Sequence, residues 1–205
     1  MKGWWGIGRM IMLLLAGALM LASLSYPMWS IYLWSFSYPN GIGMSVYQNK
    51  PGDPVDVDQL DGGVDELEVL NHFIGMKPIT KDLLIFKILP KATVLMGVLF
   101  IVAAFWRKRK FLYGVAGAGI LLGMYGMGSF FYYMYQYGHD LDPNAAITIE
   151  PFMPGIIGEK NLAQFTSWSQ FENGTFFLIL STMLVLIVAG AEWWMARKQQ
   201  HEKKA

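Results

Sequence analysis

The sequence predicts a mainly α membrane protein with four transmembrane helices and a small extracytoplasmic α+β portion, a short β-hairpin plus a helix. Three observations carry that expectation. Hydrophobic residues make up 54% of the 205 and charged residues only 15%, a balance foreign to soluble domains. Four apolar runs are each long enough to cross a bilayer. Basic residues cluster at the ends of those runs rather than on a surface of their own, so with a net charge of +1 there is no case for nucleic acid as a partner. The chain has no cysteine, which removes disulfides, thiolate metal sites and cysteine nucleophiles. Any metal must be held by His, Met, Asp, Glu, Asn or backbone.

Residues 1–29 are expected to form the first transmembrane helix or signal anchor. Lys2 and Arg9 precede the apolar run Met10 to Leu24, and the apolar character continues to Trp29, which favours a retained anchor over a cleaved signal. Residues 30–81 follow as an extracytoplasmic segment. Alternation around Ile31, Leu33, Ile42, Met44 and Val46 predicts a hairpin turning at Tyr38-Pro39-Asn40-Gly41. The loop beyond it carries Asp53, Asp56, Asp58 and Asp61 without the Gly and terminal Glu of a calcium loop, and reads as a solvated face. Asp65 and Glu66 suit the positive end of a helix over Val64 to Gly75.

The second span, 82–106, contains Pro90, which predicts a kink or a helix start there. Arg107-Lys108-Arg109-Lys110 then marks a cytoplasmic turn at 107–110. The third span, 111–137, is glycine-rich, and Gly119 and Gly123 form a GxxxG pair suited to helix packing. Residues 138–174 read as an extracytoplasmic loop with little periodicity. The fourth span, 175–195, carries Glu192 near its end, reaching toward the interface, before a basic cytoplasmic tail at 196–205. These assignments place both termini in the cytoplasm and bring 30–81 and 138–174 to the same external side.

Two external motifs carry the chemistry. In a helix, His72 and Met76 stand four residues apart on one face, where an imidazole nitrogen and a thioether can converge on a soft ion such as Cu(I). The second motif supplies His139, Asp140 and Asp142. Together these five residues are the candidate metal ligands, with Met153 as a further sulfur and Asn71 as a hydrogen-bonding support. This mixed set of imidazole, thioether and carboxylate can accept copper in either oxidation state, whereas a zinc hydrolase needs three firm ligands and a base that the set does not supply. The bland alternative is that the motifs only lock the two external segments together, as in a structural subunit of a membrane complex without metal. No enzyme is expected: there is no nucleophile and base arrangement, phosphate loop or redox-cofactor motif.

Three stretches carry a family resemblance: Leu70-Asn71-His72-Phe73-Ile74-Gly75-Met76; Tyr137-Gly138-His139-Asp140-Leu141-Asp142-Pro143-Asn144-Ala145-Ala146-Ile147; and Pro154-Gly155-Ile156-Ile157-Gly158. In them the chain resembles a family of bacterial multi-pass inner-membrane proteins, some associated with maturation of copper enzymes, notably nitrous oxide reductase. The resemblance implies an accessory protein of the inner membrane that assists assembly of an exported copper enzyme, with that enzyme or its maturation proteins as partners. At 139–142 the chain reads His-Asp-Leu-Asp where the family pattern has His-Asn-Leu-Asp, which adds a negative charge.

Overall fold

The computed structural model describes residues 2–162 and 165–202. Four helices are long and apolar enough to cross a membrane: α1 (Lys2–Ala22), α3 (Leu84–Phe105), α4 (Arg109–His139) and α5 (Asn173–Glu202). A shorter helix, α2 (Val64–Phe73), and five strands complete the chain: β1 (Trp29–Ser35), β2 (Tyr38–Val46), β3 (Pro51–Gly52), β4 (Gly158–Leu162) and β5 (Phe165–Phe171). Lys203 and Lys204 of the basic tail lie outside the described residues. The contacts divide the chain into two units, one of residues 2–23, 91–125 and 176–202, the other of 24–90 and 126–175.

Among the described residues, the regular elements of the first unit are all helical. Its core repeats at the three- and four-residue spacing that puts side chains on one helix face: Leu13, Ala16 and Met20 of α1; Met96, Phe100 and Ala103 of α3; Leu112 and Val115 of α4; Val185 and Val188 of α5. Small residues set how closely the helices approach. A Cβ on Gly17 would stand 2.5 Å from Ile101 and 3.0 Å from the Gly97 carbonyl, and one on Gly97 would stand 2.7 Å from Leu21. The close crossing is therefore between α1 and α3, at glycines outside the GxxxG pair. Of that pair, Gly119 faces Phe100 at 3.2 Å while Gly123 has nothing within 4 Å, so one of the two expected packing glycines is bare. Ser181 Oγ donates to the Ala16 carbonyl at 2.6 Å, tying α5 to α1.

One polar cluster joins all four long helices. Arg9 is 5% exposed. Its guanidinium donates to the carbonyls of Ala103 (2.9 Å), Ala104 (3.2 Å) and Trp106 (3.3 Å) at the end of α3, and lies 3.4 Å from Glu192 Oε1 of α5. The other oxygen of Glu192 accepts from Arg109 Nε of α4 at 3.1 Å, and Trp5 Nε1 donates to Oε1 at 3.4 Å. Glu192, expected to reach out to the interface, instead turns inward, its side chain 14% exposed. Carbonyls that a helix end leaves unpaired, at the negative pole of its dipole, are a favourable place for a guanidinium.

The second unit holds an antiparallel sheet in the order β3-β2-β1-β5-β4. The expected hairpin is present, but it turns at Phe36 and Ser37 rather than at Tyr38 to Gly41. Pro39, Asn40 and Gly41 lie inside β2, opposite the single residue Trp34, because Leu33 pairs with Ile42 and Ser35 with Tyr38. They form a bulge, and Gly41 supplies its positive φ of 87°. The bulge is held from outside: Asp61 accepts from both the Asn40 backbone and its side-chain amide at 2.8 Å.

The segment expected to be a loop at 138–174 contributes β4 and β5, and β5 pairs with β1 over six of its seven residues, from Trp29 opposite Phe171 to Trp34 opposite Thr166. Its pattern conceals the strand. Ser167 and Ser169 are the buried positions, whereas Trp168 is 44% exposed, the reverse of the alternation by which strands are recognised. On the inner face Trp29 donates to the Ile156 carbonyl at 2.8 Å and meets Phe130 edge-on at 5.5 Å. The aspartates assigned to a solvated face mostly have structural partners: Asp53 accepts from Val64 N at the start of α2 at 2.9 Å, and Asp56 from the Tyr32 hydroxyl at 3.0 Å.

Removing one member of a buried ion pair strands the other charge, which typically costs about 3–5 kcal/mol. Glu192→Gln in the purified full-length protein in detergent should accordingly lower the unfolding temperature clearly. The paired replacement Arg9→Met with Glu192→Met should recover part of that loss. A Glu192→Gln protein as stable as the wild type would show that the pair does not hold the helices.

Candidate functional site

The two motifs marked out in the sequence meet in the second unit through backbone. Helix α2 ends at Phe73, short of the expected Gly75, and the chain reverses through Gly75, whose φ is 80°. Met76 therefore lies beyond the helix and does not share a helical face with His72 as expected. The reversal is closed by Gly75 N donating to the His72 carbonyl at 3.2 Å and Met76 N to that of Asn71 at 2.8 Å. It presents two acceptors to the second motif. The Gly75 carbonyl accepts from Asp142 N, and the Phe73 carbonyl from Ile147 N, both at 2.9 Å. A Cβ on Gly75 would stand 2.9 Å from the Asp142 carbonyl oxygen and from Ala145 Cβ. Only glycine meets both requirements, the left-handed backbone and the close approach.

This clamp opens into a groove of about 700 Å³ whose walls include His72, Met76, Lys77, Asp140, Asp142 and Asn144. Four of the five candidate ligands thus share one groove. The fifth, His139, is not on its wall. Its ring stacks on Tyr135 at 3.9 Å, and its Nδ1 is 2.9 Å from the Tyr135 carbonyl one turn back in α4. A shared ion between His72 and His139, the arrangement expected if both histidines were ligands, is not what these contacts favour. Met153 is used through its backbone, whose carbonyl accepts from Lys160.

The carboxylates are also engaged. Asp140 forms an ion pair with Lys77, which directly follows the first motif and is not one of the candidate ligands. Asp142 Oδ1 accepts from Asn144 N at 2.9 Å, an Asx turn that shapes the second motif. Asn71 is buried, 7% exposed, and its carbonyl closes the turn to Met76. Among the described residues no group of three or more His, Asp or Glu is placed to hold a metal ion. The groove therefore offers an exposed imidazole and a half-buried thioether, with carboxylates already partnered by a lysine and a backbone amide.

A side chain at Gly75 should pry the two motifs apart, since a left-handed conformation costs an alanine roughly 1–2 kcal/mol before the clash with Asp142 is added. Gly75→Ala should speed amide hydrogen exchange across 140–147 by about ten-fold or more, which corresponds to about 1.4 kcal/mol of lost protection. Unchanged exchange in that segment would show that the clamp does not depend on Gly75. No protein-family model matches this chain, and no curated protein matches it significantly in sequence.

Proposed function

We propose that this chain is a non-enzymatic accessory protein of the bacterial inner membrane that holds copper loosely on the extracytoplasmic side and passes it to an exported copper enzyme. The observation that carries the reading is the backbone clamp, which sets His72 and Met76 beside Asp142 in one open groove. Imidazole and thioether are the ligands that favour Cu(I) among common cations. Two such ligands in an open groove bind weakly and leave coordination positions free, which suits a cargo ion in transit better than a resident cofactor. The family resemblance of the same motifs points the same way. A structural role without metal is the second reading, favoured by the Gly75 clamp and the Lys77–Asp140 pair, which join the motifs without any ion.

Basic residues flanking the apolar helices support the orientation, through the preference of Lys and Arg for the cytoplasmic side. Reporter fusions at Asp58 and Asn161 should score as extracytoplasmic and a fusion after Lys204 as cytoplasmic. The opposite pattern would remove the groove from the compartment where exported enzymes are assembled.

Copper retention tests the site. Full-length protein in detergent is loaded with Cu(I) and challenged with a competing chelator. His72→Ala and Met76→Ala should each reduce the copper retained, while His139→Ala should retain as much as wild type because that ring is turned onto Tyr135. If wild type holds no more copper than a detergent blank, or neither of the first two substitutions reduces it, the structural reading replaces this one.

A further inference from the structure

Charge is divided unevenly between the two units. Residues 24–90 and 126–175 contain 13 of the 15 acidic residues but only 5 of the 16 basic ones, a formal charge of −8 in a protein whose total is +1. Within that unit the outer face of the sheet concentrates aromatic and acidic groups. Register places Tyr32 of β1 opposite Trp168 of β5, and Trp168 opposite Glu159 of β4, so the three share a face. Trp34 lies two residues along from Tyr32, its ring stacked with that of Tyr32 at 6.1 Å. Glycines make room for both rings to lie along the backbone. A Cβ on Gly41 would stand 2.6 Å from the Trp34 indole nitrogen, and one on Gly43 would stand 3.0 Å from the Tyr32 ring.

The acidic groups surround these rings. Asp56 accepts from the Tyr32 hydroxyl. Along β5 a chain of side-chain bonds runs from Trp168 Nε1 to Gln170 Oε1 at 3.3 Å, and from Gln170 Nε2 to Glu172 Oε1 at 2.9 Å. Burial, then the bond to Asp56 and the negative field of Asp56 and Glu172, push the Tyr32 hydroxyl above its ordinary range and keep it neutral. None of the described strand residues on this face is basic. Lys160 of β4 alternates to the opposite face, where it donates to the Met153 carbonyl.

We propose that this face, Tyr32, Trp34 and Trp168 rimmed by Asp56, Glu159 and Glu172, docks an arginine-bearing polypeptide segment of a partner protein. Flat aromatic rings attract a cation over their faces, and guanidinium does so best because it also stacks as a plane. Carboxylates at the rim add the complementary charge that draws such a segment in and orients it. The surface is separate from the groove at His72 and Met76, and the inference stands whether or not that groove takes copper.

A short oligo-arginine peptide titrated calorimetrically into the full-length protein in detergent is the probe. Binding is expected, weakened roughly three- to thirty-fold by Trp168→Ala, the range that loss of one cation–π contact gives. Asp56→Asn and Glu159→Gln should also weaken it. Asp56→Asn keeps an oxygen for the Tyr32 hydroxyl and Glu159 is exposed, so neither threatens the fold. Asp65→Asn on α2 and His72→Ala in the groove should bind as wild type does. The proposal is overturned if the peptide does not bind, or if Asp65→Asn weakens binding as much as the variants on the face, which would mark general attraction to an acidic unit. It is also overturned if phosphatidylcholine vesicles, and not the peptide, bind in a manner that depends on Trp168, which would assign the face to a lipid headgroup.

Discussion

The interaction between Arg9 and Glu192 holds the helical unit together in a way that no apolar contact does. A charge among apolar side chains is tolerated only when its hydrogen-bonding capacity is used. Arg9 meets this by splitting its donors between a carboxylate of α5 and three carbonyls at the end of α3, and Glu192 by splitting its oxygens among Arg9, Trp5 and Arg109. One pair of side chains thereby sets the ends of four helices with respect to one another. The apolar faces of those helices, Leu13 and Ala16 against Phe100 and Val185 among others, are less specific, because similar residues one turn away would pack about as well. Polar groups with a single satisfying arrangement are the kind that select a register.

The same economy of partners governs the second unit. Asp53, Asp56 and Asp61 stand in a stretch whose spacing suggests only solvated charge, yet they cap α2, hold Tyr32 and brace the bulge in β2. The strong negative charge of the unit is thus put to structural use at some positions and left facing outward at others. The distinction matters for function. A carboxylate bonded to backbone amides has fewer lone pairs left for a metal ion. One at the edge of an aromatic surface keeps its negative charge there even while it accepts from a neighbour, as Asp56 does from Tyr32 and Glu172 from Gln170.

At the groove, position and chemistry come from different sources. The clamp through Gly75, Asp142 and Ile147 is made wholly of backbone, so it positions the motifs whatever the side chains bind. His72 and Met76 are left without a structural task of comparable weight and are the side chains available for a ligand. His139 and Asp140 look equivalent to them in the sequence but have been taken up by Tyr135 and Lys77.

The amino-acid sequence is enough to mark the four long helices, the helix begun by Asp65 and Glu66, and the alternation at Ile31 and Leu33 and at 42–46 that makes a hairpin, though not its register. Each is a local matter: apolar length, charge at a helix end and a period of two are written in neighbouring residues. It also marked both motifs that meet at Gly75. Tertiary structure alone decided the rest. Strand β5 became visible only once β1 paired with it, since its buried serines and exposed Trp168 contradict the alternation expected of a strand. Pro39-Asn40-Gly41 became a bulge instead of a turn because Asp61, distant in sequence, satisfied Asn40. The inward turn of Glu192 depended on Arg9 at the other end of the chain, and the loss of His139 from the groove on its contact with Tyr135. Residue type specifies which partners a side chain can accept, and only the folded chain settles which partner is within reach.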